Sequence, residues 1–142
     1  PRWQPLYDCF QQAIALRKAH PAIRGDLKPA FPGFPAVSVH TEVPWPREIT
    51  ADTKVLTVLY AGMDETAEEC REDLVCFVMN VYWENRTVCL PGLPFGYGWR
   101  CALYTGDNEQ PAAEADDAFR MEARSVAVFE GMMRRQADEN NK

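Results

Sequence analysis

The sequence has few of the residues from which catalytic and metal sites are usually built. It contains only two histidines, His20 and His40, and no two of its five cysteines are spaced for a zinc knuckle or a redox dithiol. It has no Gly-x-Ser-x-Gly elbow and no glycine-rich phosphate loop. Nothing in the sequence places either histidine beside a thiol, as a Cys–His nucleophilic pair would require. We therefore predict no catalytic residue, no metal site and no cofactor in this chain.

Positive charge and long apolar runs are scarce as well. The net charge of -6 argues against nucleic acid, which requires a concentrated Lys/Arg surface. No apolar run approaches the roughly 20 residues that cross a bilayer, and no signal-peptide pattern opens the chain. Five cysteines are an odd number for a disulfide framework, so we expect them to be buried and reduced. Reduced cysteines favour the cytoplasm.

What the chain does contain is one helical pattern followed by strand patterns. Apolar residues recur at helical spacing from Pro5 to about Ala19, and His20-Pro21 ends this helix. Residues 21–53 are rich in proline and allow only a short strand near 37–43. Runs rich in Val, Tyr, Phe and Thr predict strands at 54–61, 74–82, 86–90, 99–104 and 125–130, with a short one at 119–122. This order predicts an all-β fold, an antiparallel β-sandwich preceded by one N-terminal α-helix.

The same patterns divide the chain into four segments. They are a helix with its exit at 1–24, a proline-rich linker at 25–53, the sandwich at 54–131 and a polar tail at 132–142. The run at 74–81 is apolar on both faces, which is typical of a central strand. Alternation predicts that Trp99, Cys101 and Leu103 share one face of their strand. Acidic residues at 64–73 and 107–117 indicate two solvated loops.

The helix carries an apolar stripe that has no second helix to pack against. Leu6, Phe10 and Ile14 lie on this stripe. We predict that these side chains are partly exposed and serve inter-domain packing, with self-association as a second use of the same surface. A chain that opens with Pro1 and enters a helix within five residues also suits a fragment of a longer protein.

Aromatic side chains are the remaining candidates for ligand contact. Tyr82 and Trp83 stand at a strand end, and Trp45 lies in the proline-rich stretch. An aromatic face beside polar groups can stack on a sugar ring, whereas Trp99 is expected to fill the core. If the chain binds carbohydrate, we expect contact through Trp83, Trp45 and Tyr82.

Three segments occur in an order that is characteristic of one family. They are a helix end with a His-Pro pair, a strand region with Asn, Leu-Pro and Gly-Trp, and a closing Arg-Ser strand: Ala15–Arg24 (ALRKAHPAIR), Leu74–Thr105 with Asn80, Leu90-Pro91 and Gly98-Trp99, and Ala123–Phe129 (ARSVAVF). Over about residues 5 to 130 they resemble the end of a glycoside hydrolase family 13 enzyme, of the α-amylase clan. The similar subgroup is that of isoamylase- and pullulanase-type debranching enzymes. Tyr104-Thr105 departs from this pattern, because the family often has Asp-Thr there.

This resemblance implies a division of labour between two domains. In the family a (β/α)8 barrel carries an aspartate nucleophile, a glutamate acid/base and a stabilising aspartate, all upstream of the last barrel helix. None of the three corresponds to a position here, so the fragment alone is expected to be inactive, with its helix a remnant of the missing barrel. The implied parent is a glycosidase that acts on α-glucan, with α-1,6 linkages favoured. The implied partner is the upstream catalytic barrel of the same polypeptide.

Two alternative functions remain open at this point. One is a carbohydrate-binding module that contacts α-glucan through exposed aromatic side chains. The other is an unrelated intracellular sandwich that docks a protein partner.

Overall fold

A computed structural model describes residues 2–25, 27–66, 68–94, 96–111 and 118–134. The helix α1 spans Gln4–Ala19 and is followed by the single turn α2, Pro21–Arg24. The strands are β1 (Lys28–Pro29), β2 (Val37–His40), β3 (Val55–Asp64), β4 (Arg71–Asn80), β5 (Arg86–Cys89), β6 (Tyr97–Tyr104), β7 (Ala118–Met121) and β8 (Ser125–Met133). Every pair among these strands is antiparallel. The predicted mainly β class with an N-terminal helix is confirmed, and the arrangement is compatible with a β-sandwich.

The strands form one large and one small sheet. In the six-stranded sheet β1 and β2 both pair with β3, and the order continues through β4 and β8 to β6. The strands β5 and β7 form a two-stranded sheet. Side chains from both sheets meet in one core, among them Leu59, Leu74, Cys76, Val78, Val88, Met121 and Phe129. The strand β4 lies inside the large sheet, as its two apolar faces predicted.

The first acidic segment is shorter as a loop than the sequence indicated. The prediction of a loop over 64–73 is wrong at both ends, because β3 continues to Asp64 and β4 begins at Arg71, which pair with each other. Continued ladder pairing outweighs the low strand propensity of acidic residues here. Residues 112–117 of the second acidic segment and residues 135–142 of the polar tail lie outside the described residues.

A β-bulge changes the direction of one core side chain. The register of β6 against β8 shifts between Cys101 and Leu103, so that Ala102 is the extra residue. Trp99 and Cys101 face the core between the sheets, whereas Leu103 packs in a second cluster on the opposite face. The prediction that these three residues share one face is therefore wrong, because an inserted residue breaks the two-residue period. Trp99 itself is in the core, as predicted.

The cysteines are free, but most of them are not fully buried. Only Cys76 is buried among the five, while Cys70 is exposed and the other three are half-buried. The expectation of five buried thiols is therefore wrong. Cys70 precedes β4 in the remaining acidic loop, where no apolar strand surrounds it. Burial raises the pKa of the Cys76 thiol far above its ordinary value, so this side chain behaves as a small apolar group.

Two buried polar side chains attach loops to the large sheet. Asn80 donates from Nδ2 to the carbonyl oxygens of Glu84 at 3.0 Å and Glu122 at 2.9 Å, and its Oδ1 accepts from the backbone N–H of Tyr82 at 3.1 Å. The indole N–H of Trp99 donates to the carbonyl of Pro91 at 2.8 Å. These bonds satisfy the polar groups of two buried side chains. Asn80 therefore fixes the turn after β4 against the start of β8.

We expect Asn80→Ala to lower the free energy of unfolding by about 2–4 kcal/mol, because it removes three hydrogen bonds of a side chain that is 1% exposed. Asn85→Ala is the matched control, since Asn85 is exposed and accepts a single bond from the N–H of Ala123. Its expected cost is below about 1 kcal/mol. Urea unfolding of both variants measures the difference. Equal losses would contradict the role assigned to Asn80.

Candidate functional site

One face of the six-stranded sheet carries continuous apolar rows that cross several strands. We call it the outer face; it lies opposite the two-stranded sheet. The register aligns one row across β2, β3, β4, β8 and β6: Val39, Val58, Phe77, Val128 and Leu103. A neighbouring row across β3, β4 and β8 is Leu56, Met79 and Val126. Neither row contains a charged side chain, so these two rows are suited to contact apolar surface rather than water.

The helix α1 covers only one end of these rows. Its Leu16 packs with Val75, Leu103 and Val128, and a cavity of about 210 Å³ remains beside this contact. Along the row, Val128 under the helix is 1% exposed, whereas Val39 at the far end is 43% exposed. We call the uncovered part the open face, which consists of Val37, Val39, Leu56, Val58, Met79 and Val126. Its side chains are half-buried or exposed.

The outward side of α1 is also apolar and exposed. Leu6, Phe10 and Ile14 are each more than half exposed, Phe10 to 62%. The predicted exposure of these three side chains is confirmed, and their inter-domain packing stays a prediction. Trp3 and Tyr7 add to the same exposed surface. Large apolar surfaces on one side of a small protein usually mark a site of interaction.

A histidine bridge attaches the end of α1 to the outer face. His20 contacts Asp73 Oδ1 through Nδ1 at 2.6 Å and Glu130 Oε1 through Nε2 at 2.8 Å. The second oxygen of Asp73 accepts the backbone N–H of Ala22 at 2.8 Å, at the start of α2. Arg100 bonds the second oxygen of Glu130 at 2.7 Å. We call His20, Asp73, Glu130 and Arg100 the histidine bridge; it joins the helix exit to β4, β8 and β6.

The bridge holds a charged imidazole in a mostly enclosed position. The hydrogen bond to Asp73, with further help from Glu130, raises the pKa of His20 above 6.5 although burial opposes this. Burial acts to raise the pKa of Glu130, but hydrogen bonds from His20 and Arg100 outweigh it, so the net direction is down. Only a protonated imidazole can donate from both ring nitrogens, which the two carboxylates require. The geometry therefore favours the protonated, ion-paired form of His20.

The two carboxylates of the bridge do not form a hydrolytic pair. A glycosidase needs its two acids to face each other across a space for substrate. Here the ring of His20 occupies that space, and its side chain is only 14% exposed. Among the described residues, no group of three His, Cys, Asp or Glu side chains is arranged to hold a metal ion. The chemistry of the bridge is therefore attachment of the helix rather than catalysis.

Sequence reasoning missed the partners of His20, which it assigned to a helix end. Asp73 is the residue that could have indicated these contacts. Once β4 begins at Arg71, Asp73 shares the outer face with Val75 and Phe77. A carboxylate on an apolar strand face requires a cation or donors, and only a correct strand boundary reveals this need.

The aromatic candidates fall into two separate groups. Tyr82 and Trp83 stack on each other with ring centroids 4.3 Å apart, and Trp83 is 66% exposed. Trp45 instead packs edge-on against His40 at 4.5 Å and Phe34 at 5.3 Å. The backbone N–H of Trp45 donates to Nδ1 of His40, and burial lowers the pKa of this histidine. No described ring or hydrogen-bond contact links Trp45 to the Tyr82–Trp83 pair.

Comparison with known proteins does not assign the chain to a family. No protein-family model matches the sequence, and no curated protein matches it significantly. In the part of the chain that the structure describes, neither helix combines the length and the apolar character needed to cross a membrane.

The bridge predicts that stability depends on pH. The pKa of His20 is raised on folding, so its contribution is complete below about pH 6.5 and is lost as the pH rises through the folded pKa. The pKa of Glu130 is lowered, so its contribution is present above about pH 4.5 and is lost as the pH falls through the folded value. We expect His20→Gln to cost about 2–3 kcal/mol near pH 5.5, and less at alkaline pH.

Urea unfolding at several pH values measures this effect. Arg100→Gln is the control, because Arg100 is exposed and bonds Oε2 of Glu130, the oxygen that His20 does not contact. We expect it to cost less than about 1 kcal/mol and to leave the alkaline loss of stability intact. A cost of His20→Gln that does not change between pH 5.5 and alkaline pH would contradict the bridge as described.

Proposed function

We propose that this chain is the non-catalytic C-terminal β-sandwich domain of a debranching-type glycosidase that acts on α-glucan. Its role is to support an upstream catalytic barrel, against which the open face and the outward side of α1 pack. The helix α1 is then the last helix of that barrel. The proposal includes the cytoplasm as its compartment, which suits five free cysteines.

The observation that carries this proposal is the incomplete cover of the outer face. A row of five apolar side chains begins under α1 and ends in solvent at Val39. The uncovered stretch adjoins a helix whose own outward side is apolar. A partner that covers both must present a broad apolar surface, and the flank of a barrel is such a surface.

The residues that carry the family resemblance also support the proposal, because they have definite structural roles. His20 of the first segment forms the bridge, and Trp99 of the second bonds Pro91. In the third, Arg124 has a positive φ of 51° and Ser125 Oγ donates to the carbonyl of Glu122 at 2.7 Å. Each of these contacts fixes one structural element against another. Residues of this kind suit a supporting domain.

A supporting domain should have no hydrolytic activity by itself. The buried carboxylates at the helix exit already bond His20, Ala22 and Arg100, which leaves no poised acid there. We expect the purified chain to release no reducing ends from pullulan or glycogen. Turnover above a buffer blank would contradict the non-catalytic function, and turnover that is lost in a folded His20→Gln variant would also contradict the assignment of the bridge to helix attachment.

Charged substitutions on the apolar surface test the docking role. When this chain binds the separately expressed upstream segment, we expect Phe10→Glu and Val39→Glu to weaken the association by about 2–3 kcal/mol, because each buries an unpaired charge. Their matched controls are Gln12→Glu on the same helix and Thr87→Glu on the two-stranded sheet; both positions are exposed. Controls should lose less than about 0.5 kcal/mol.

The measurement is the interaction of this chain with the separately expressed upstream segment, by titration calorimetry. Equal effects of the test variants and controls would contradict docking through this surface. A reading frame that encodes no barrel upstream would contradict the proposal and favour the alternative of an unrelated protein-docking domain.

A further inference from the structure

A second surface, distinct from the open face, combines a polar cleft with an exposed aromatic ring. The cleft has a volume of about 380 Å³ and is lined by Thr41, Glu42, Thr50, Asp52, Thr53, Lys54 and Arg86. Lys54 and Arg86 also lie against the ring of Tyr82, with their charged groups 5.3 and 5.7 Å from its centroid. Trp83 stacks on the same ring. Tyr82 therefore contacts two residues of the cleft and the exposed ring of Trp83.

The charges that line the cleft balance each other. Two carboxylates and two cations are present, and Arg86 is already paired with Glu42 at 2.9 Å. A site for a phosphate or another anion would need an excess of positive charge. The balance favours a ligand without net charge.

Several polar groups of the cleft remain available to such a ligand. Among the described residues, the Asp52 carboxylate and the Lys54 ammonium take part in no side-chain hydrogen bond or ion pair. One is an acceptor and the other a donor, and they stand two residues apart on the wall of the same cleft. Vicinal hydroxyl groups both donate and accept, so they match this pair.

Trp83 supplies an exposed apolar ring, which the polar cleft alone lacks. Its ring is 66% exposed although it is large and apolar, and its contact with Tyr82 holds it in place. A pyranose ring has an apolar C–H face that stacks on an indole, with hydroxyl groups around its edge. We propose that this cleft and Trp83 bind a neutral oligosaccharide of pyranose rings, with Trp83 as the stacking platform and Asp52 and Lys54 as hydroxyl partners. This proposal does not depend on the docking role of α1 and the open face.

The indole N–H signals in a nitrogen–proton correlation spectrum test the site on the whole chain. The probes are maltoheptaose, cellohexaose and inorganic phosphate, each raised to about 10 mM, where millimolar affinity is detectable. We expect at least one of the two sugars to shift the indole signal of Trp83 and to leave that of Trp3 unchanged. No shift by either sugar, or a response to phosphate at a lower concentration than to the sugars, would overturn the proposal.

Matched tryptophan variants complete the test, with binding followed by calorimetry. Trp83→Ala should weaken sugar binding at least about tenfold, whereas Trp3→Ala, equally exposed at 65%, should leave it within about twofold. Asp52→Asn and Lys54→Gln, which leave both aromatic rings in place, should weaken it severalfold. Phe10→Glu should have no effect on sugar binding, which separates this site from the docking surface. If Trp83→Ala weakened docking to the upstream segment and left sugar binding intact, Trp83 would belong to the docking surface and the proposal would be wrong.

Discussion

The arrangement of this protein follows from a six-stranded sheet that is apolar on both faces. Such a sheet needs cover on each side, because apolar area left in water costs free energy in proportion to its size. The two-stranded sheet and the loops near it cover the inner face, where Leu59, Phe129 and other core residues are fully buried. On the outer face, α1 and α2 are the only covering elements among the described residues: Leu16 of α1 packs on β4, β6 and β8, and α2 lies against β3 and β4. The open face is the apolar part of the outer face that these helices leave uncovered.

The position of the helix depends on polar contacts rather than on a large apolar interface. Only Leu16 of α1 is buried, which is too little to hold a helix of 16 residues by burial alone. The histidine bridge provides a directional attachment, because Asp73 bonds both the ring of His20 and the backbone N–H of Ala22 in α2. Burying these charges carries a desolvation cost, which the completed network of hydrogen bonds offsets. We therefore expect the attachment of the helix to weaken when His20 loses its proton.

The sequence allowed the prediction of the helix, most strands and the mainly β class, because these depend on local periodicity. The core position of Trp99 and the exposure of Leu6, Phe10 and Ile14 followed from the same patterns. Leu103 was assigned to the wrong face because a bulge is set by packing across strands and leaves no clear local signal. The histidine bridge joins residues more than 50 positions apart, so neither spacing nor composition could reveal it. Predicting the open face would have required the register of four strands. The alternation in β2 indicates a strand there but does not define how it pairs.

We propose that, in a longer polypeptide, an upstream segment covers the outward side of α1 and the open face. Hydrogen–deuterium exchange, measured on the chain alone and on that longer polypeptide, tests it directly. We predict that amide protection rises in α1 and β2 in the longer protein, while β5 and β7 on the opposite side stay unchanged. Protection that is the same in α1 and β2 in both proteins would contradict the account.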